Sequence, residues 1–291
     1  MHWQPDTRFG DNMSFPVFAD LELARRLERS EANAGARCVE ARSRWSPEGG
    51  AEWREIAGTY AMFDGPASPI TQTFGLGLFA EPTGVDLDRL ENFFQERGAP
   101  VSHEVSPLAG LSVADFLSRR GYRPVEFTSV MYQPLRAVPD SACATNPRLG
   151  ARLMQPGEEE LWSEISARGW AAEHPELQEM LFSFGRLIAA CQGSLAFFAH
   201  LDGEPVAAGV LWRHAGVALF GGACTIPEAR KQGAQRALLE ARMSVARSSG
   251  CDLAMMCAQP GSASQRNAER QGFRIAYTRI KWRLANPSEG G

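Results

Sequence analysis

The sequence predicts an α/β protein of two units, each a twisted mixed β-sheet flanked by helices. Three observations carry that expectation. The chain has 291 residues, more than one compact core usually accommodates. Strand-like and helical periods alternate through its second half. A helix–Gly–aromatic–strand junction occurs twice, at Gly121-Tyr122-Arg123 and at Gly272-Phe273-Arg274, which marks a repeated unit. The expected units are residues 13–137 and 150–286. Residues 138–149, poor in large apolar side chains and holding Pro139 and Pro147, form the linker between them.

The second unit gives the clearer pattern. Ala151 to Met154 reads as a strand, and Gly157 to Ala167 and Pro175 to Cys191 as helices, the latter with Leu177, Met180, Leu181, Phe184 and Ile188 at helical spacing. A meander follows: Leu195 to Leu201, a turn at Asp202-Gly203, Pro205 to Trp212, a turn at His214-Ala215-Gly216, then Val217 to Thr225. A helix starting near Gly233 carries the stripe Ala234, Leu238, Ala241 and Val245 and stops at Gly250. Leu253 to Ala258 is a buried strand, Ser262 and Gln265 are spaced as a capping box, and Phe273 to Leu284 is a last strand. In the first unit, Thr73 to Phe79 and Val125 to Tyr132 read as strands, and Asp86 to Gln95 and Val113 to Arg120 as helices.

Composition excludes several function classes. The net charge of -4 argues against non-specific binding to nucleic acid or to an anionic membrane. Its start, Met1-His2-Trp3-Gln4-Pro5-Asp6, lacks the basic lead and apolar core of a signal peptide, so a cytoplasmic location is expected. The six cysteines show neither CxxC pairs nor zinc-like spacing, and no disulfide or metal is expected.

The chemistry is concentrated after Thr225. A strand runs through Thr225-Ile226-Pro227-Glu228 into Arg230-Lys231-Gln232-Gly233-Ala234-Gln235 and a helix. A helix start offers backbone N–H groups without internal acceptors at the positive end of the dipole, so it suits a diphosphate. Gly233 leaves the backbone bare, and Arg230 and Lys231 add charge. The glycines of a Rossmann fingerprint and the GKS or GKT of a Walker loop are absent.

In its context this loop resembles that of the GNAT superfamily of acetyl-CoA-dependent N-acetyltransferases. The resemblance runs from Ala151 to Leu284. It is carried by Cys224 to Ala234, Leu238-Leu239, Gly250-Cys251-Asp252 and Pro260 to Phe273. It implies that acetyl-CoA rests its diphosphate on residues 230–235, lays its pantetheine along Ala223, Cys224, Thr225 and Ile226, and meets Ser264 and Asn267 on the following helix. The implied acceptor is the amine of a small molecule; a homodimer is compatible with the family. Two departures stand out. The family's tyrosine acid, four residues before its Gly-Phe junction, is Ala268 here, and an asparagine ahead of that helix is Gly261. Candidates for the missing acid and base are Glu173, His174 and Tyr277, while Cys224 reads as a buried strand residue. A CoA-binding sensor without turnover and a protein N-acetyltransferase are the alternatives. The first unit has no such loop, and Asp86 and Asp88 at its helix start would repel diphosphate, so it reads as a degenerate copy.

Overall fold

The computed structural model describes residues 17–135, 146–172 and 175–285. Most of the expected linker, and both Glu173 and His174, lie outside the described residues. In the first half the elements are α1 (Leu21–Trp45), β1 (Glu52–Ile56), β2 (Thr59–Phe63), β3 (Gln72–Phe74), α2 (Gly84–Gln95), β4 (Ser102–Val105), α3 (Leu111–Arg119) and β5 (Tyr122–Pro134). The second half contributes β6 (Leu149–Leu153), α4 (Glu159–Trp170), α5 (Gln178–Ala190), β7 (Leu195–Leu201), β8 (Glu204–His214), β9 (Val217–Thr225), α6 (Ala234–Ser248), β10 (Leu253–Ala258), α7 (Ala263–Arg270) and β11 (Arg274–Leu284).

These strands form one eleven-stranded sheet in the order β1-β2-β3-β4-β11-β5-β10-β9-β8-β7-β6. The two expected sheets are therefore continuous, and the halves exchange their last strands. β11 pairs with β4, and β5 pairs with β10, while β5 and β11 run antiparallel side by side from Arg274 opposite Tyr132 to Leu284 opposite Tyr122. Each half thus completes its sheet with a strand of the other.

Helix α1, absent from the sequence reading, is capped by Asp20, whose side chain accepts from the Leu23 N–H. Its Leu23, Ala24 and Leu27 pack on Val217, Leu219, Leu253 and Met255 of the second half. The same face buries Glu28 and half-buries Glu31. Arg279 of β11 holds Glu28 at 3.3 Å, Glu31 at 2.7 Å and Glu104 of β4 at 2.9 Å. This buried ion cluster ties α1 and β4 to the exchanged strand. On the opposite side, Leu238 and Met243 of α6 and Ala268 of α7 share a core with Phe220 and Phe273.

The expected strand from Thr73 to Phe79 ends at Phe74 because Gly75 and Gly77 adopt φ of +87° and +77° and turn the chain. Pro175 to Leu177 is a 3-10 turn ahead of α5 rather than its first turn.

Candidate functional site

Strands β9 and β10 start as parallel neighbours and then part. Val217, Ala218 and Leu219 pair with Leu253, Ala254 and Met255, but β9 continues to Thr225 and β10 to Ala258. The cause lies on β9's other side. Against β8, Cys224 faces Ala208 and Gly221 faces Val210, so Gly222 and Ala223 oppose Gly209 alone. Gly222 takes φ +58° in this bulge, and a bulge bends and twists its strand. A wedge opens whose β9 wall has no strand partner. Ile226 gives its N–H to Val206 at 3.0 Å, across β8. Thr225, opposite Ala207 in a non-hydrogen-bonded pair, turns its N–H and C=O to the wedge.

At the wide end of the wedge the chain makes a turn at Pro227–Ala229 and enters α6. Lys231 and Gly233 have φ of +63° and +96°. The intrahelical ladder opens with Arg236 and Ala237, which both donate to the Gly233 carbonyl. No side chain caps the helix, so the N–H groups of Ala234 and Gln235 face outward without an intrahelical acceptor. The glycine's φ disfavours any side chain, and a Cβ there would lie 3.1 Å from Leu149 Cδ1, so the leucine tip would have to yield.

The loop's long side chains are placed differently from expectation. Arg230 turns back, Nη2 to the Gly169 carbonyl at 3.3 Å and Nε to Thr225 at 3.4 Å. Gln235 gives its amide to Thr225 Oγ1 at 2.8 Å. Gln232 donates to the Glu228 carbonyl at 3.5 Å. These residues brace the loop, whereas Lys231 is exposed. Ser264 and Asn267 are exposed on α7, and Asn267 Oδ1 accepts from Arg270.

Two further residues shape the wedge and were missed in the sequence. Arg242 of α6 is buried at 3% exposure. Its Nη1 donates to the carbonyls of Val210 at 3.2 Å and Gly221 at 3.3 Å, the two residues at the base of the bulge. No carboxylate acts on it among the described residues, and burial pushes its pKa down to about 10. A lone arginine in a helix gives no sequence signal for this role. Gly169 of α4 sits where a Cβ would meet Cys224 Sγ at 2.7 Å, so the helix lies directly on β9.

Among the other candidates, Cys224 is buried against the Ser166 carbonyl at 3.5 Å, and burial lifts its thiol to about 11, which fits the packing role. Tyr277 is corrected as an acid: its hydroxyl donates to Glu28 at 2.8 Å inside the ion cluster, and burial raises its pKa far above the ordinary value. Burial, partly offset by Arg279, also raises Glu28 to about 7. Ala268 is 2% exposed in the core, so no side chain stands in for the missing phenol there. Trp162 is a core residue bonded to the Phe197 carbonyl, whereas Trp170 is half exposed. Between α4 and α5 lies a cavity of about 470 Å³ walled by Glu164, Glu176, Glu179, Gln178, Ala167, Pro175 and Phe182.

The first half differs at the equivalent place. Helix α2 is closed by its own side chains: Thr83 Oγ1 accepts from the Asp86 N–H, and Asp86 accepts from the Thr83 N–H. An occupied, negatively charged helix start repels an anion. Among the described residues no cluster of His, Cys, Asp or Glu is arranged to hold a metal, and no helix is long and apolar enough to cross a membrane.

Residues 154–273 match the model of the Acetyltransferase (GNAT) family. Over 91% of its length the chain shares its fold with 96% of a GCN5-related N-acetyltransferase from Kribbella flavida, at TM-score 0.65 and 16% identity. A tandem GNAT protein from the clavulanic acid biosynthesis pathway gives TM-score 0.57 and 13% identity over 93% and 98%. A GCN5-related N-acetyltransferase from Sphaerobacter thermophilus gives TM-score 0.52 and 16% identity over 92% and 93%. No curated protein matches in sequence.

Proposed function

The chain carries a GNAT acetyltransferase domain at residues 154–273, and from that premise we propose that it moves an acetyl group from acetyl-CoA to the amine of a small molecule. The observation that carries the reading is the uncapped start of α6 at the mouth of a wedge whose β9 wall lacks a strand partner. The N–H groups of Ala234 and Gln235, with Lys231, hold the diphosphate. The edge of β9 around Thr225, which has no strand partner, pairs with the pantetheine amides as a sheet edge pairs with an added strand, with Arg230 Nε yielding the Thr225 carbonyl it holds at 3.4 Å.

Catalysis then rests on position and polarisation. A backbone N–H of the bulge region polarises the thioester carbonyl. The neutral amine attacks that carbon, the C–N bond forms, and the C–S bond breaks to release CoA thiolate. With Ala268 in the phenol's place, water returns the proton to sulfur. The amine's own proton passes to a base that we keep on the stretch holding Glu173 and His174. The cavity lined by Glu164, Glu176 and Glu179 beside α4 supports a cationic amine as acceptor. Residues 13–137 serve as a degenerate half that supplies β5 and α1 and binds no CoA of its own.

A second reading, a CoA-binding module without turnover, is favoured by Ala268 alone. Release of free thiol from acetyl-CoA across a panel of small amines decides between them. Turnover with any amine supports the enzyme. Tight acetyl-CoA binding with no turnover supports the sensor, and no binding at millimolar concentration removes both.

A further inference from the structure

The two halves meet at a second place that acyl transfer does not use. Cys38 lies in the middle of α1, and Cys191 is the C-cap of α5. The residues are 153 apart in sequence, and their sulfurs are 2.9 Å apart, inside the van der Waals separation of two sulfur atoms. Both are buried, at 3% and 4% exposure. Ala41 and Leu187 enclose them, with Phe184, Ile70 and Trp212 packed around. Packing alone does not require this: two small apolar residues fill such a space without bringing two sulfurs face to face.

We propose that Cys38 and Cys191 are a built-in oxidation site, a thiol pair that closes to a disulfide and pins α1 of the first half to α5 of the second. The reaction is a two-electron exchange with a small disulfide oxidant such as oxidised glutathione. One thiolate attacks the oxidant and forms a mixed disulfide, releasing one glutathione. The second thiolate then displaces the other glutathione, so two S–H bonds and the oxidant's S–S bond give way to one protein S–S bond and two thiols.

The order of the steps follows from the fold. Cys38 is held in mid-helix, whereas Cys191 closes α5 beside the exposed Ala190, Gln192 and Gly193. Helix ends open at low cost, so Cys191 meets the oxidant and Cys38 resolves it. The remaining cysteines with described surroundings have no second sulfur at hand. Cys224 is engaged with α4 carbonyls, and Cys257 donates to Glu31 at 3.3 Å. A cross-link spanning so long a loop removes much freedom from the unfolded chain, which corresponds to a melting rise of roughly 5–10 °C for a chain of this size.

The test incubates the full chain in graded mixtures of reduced and oxidised glutathione and maps the products by peptide mass spectrometry. The expected result is one linked peptide pair, Cys38 with Cys191, reversed by dithiothreitol and accompanied by the melting rise. Cys38→Ser should instead trap a glutathione on Cys191, and Cys257→Ser should leave the link intact. Three outcomes overturn the proposal: both thiols still free at the most oxidising ratio, linkage distributed over other cysteines, or a Cys38–Cys191 link that lowers the melting temperature. None of these readouts depends on acetyl-CoA, so the acyltransfer reading stands or falls separately.

Discussion

Replacing Arg242 by methionine separates the shape of the wedge from the stability of the chain. The guanidinium satisfies the Val210 and Gly221 carbonyls at 3.2 and 3.3 Å. Hydrogen bonds from a charged donor contribute about 1.5–3 kcal/mol each, so removing both costs about 3–6 kcal/mol. Against this stands relief of a buried charge. Burial pushes its pKa down to about 10, a fall that at ~1.4 kcal/mol per pH unit corresponds to about 3 kcal/mol. Methionine also keeps the packing against Phe220, over which the guanidinium lies at 5.2 Å. The net loss of stability is therefore small, about 0–3 kcal/mol, while the base of the bulge loses its clamp. Denaturant unfolding should show the modest loss, and calorimetry should show acetyl-CoA affinity falling about tenfold or more, with Arg242→Lys in between. Wild-type affinity in the methionine variant would refute the idea that Arg242 sets the wedge. A stability loss well beyond about 4 kcal/mol would show that the desolvation argument is wrong.

Other variants probe separate parts of the account. Gly233→Val forces a side chain into φ +96° and against Leu149, so it should cost about 1–3 kcal/mol in unfolding and at least tenfold in acetyl-CoA affinity by calorimetry. Thr83→Ala removes the cap of α2 and should cost about 1 kcal/mol in denaturant unfolding with no change in acetyl-CoA affinity. Glu28 is an acid whose folded pKa rises from 4.5 to about 7, so its stabilising contribution is full below 4.5 and lost as pH rises toward about 7. Compared with Glu28→Gln, the wild type should therefore lose up to about 3 kcal/mol across that window in thermal melts, and parallel profiles would contradict the cluster's electrostatics.

What the sequence disclosed was what local chemistry dictates. The Asp202-Gly203 turn is a hairpin because both residues take positive φ, +53° and +89°. Gly233, at the start of α6, stands at a left-handed position, and the strand and helix around it followed from their periods. The exchange of β5 and β11 was not legible, since an apolar strand looks the same whichever half supplies its neighbour. Helix α1 escaped notice because its buried face is built from alanines, Leu23, Leu27 and the carboxylate Glu28, with Glu31 half-buried beside it, a stripe too polar to read as core. Those acids make sense only beside Arg279, far along the chain. Tyr277 was misread for the same reason, as its partner Glu28 lies in the other half. The bulge at Gly222 and its clamp by Arg242 depend on contacts between elements that no sequence spacing encodes.

Titration calorimetry of the intact chain with acetyl-CoA tests the central claim most directly. Among the described residues, the start of α6 is uncapped at the mouth of a strand wedge, while α2 is closed by Thr83 and Asp86. Saturable binding with one acetyl-CoA per chain is expected, sharply weakened in Gly233→Val and unchanged in Thr83→Ala. Two molecules bound per chain, or full affinity retained by Gly233→Val, would contradict it.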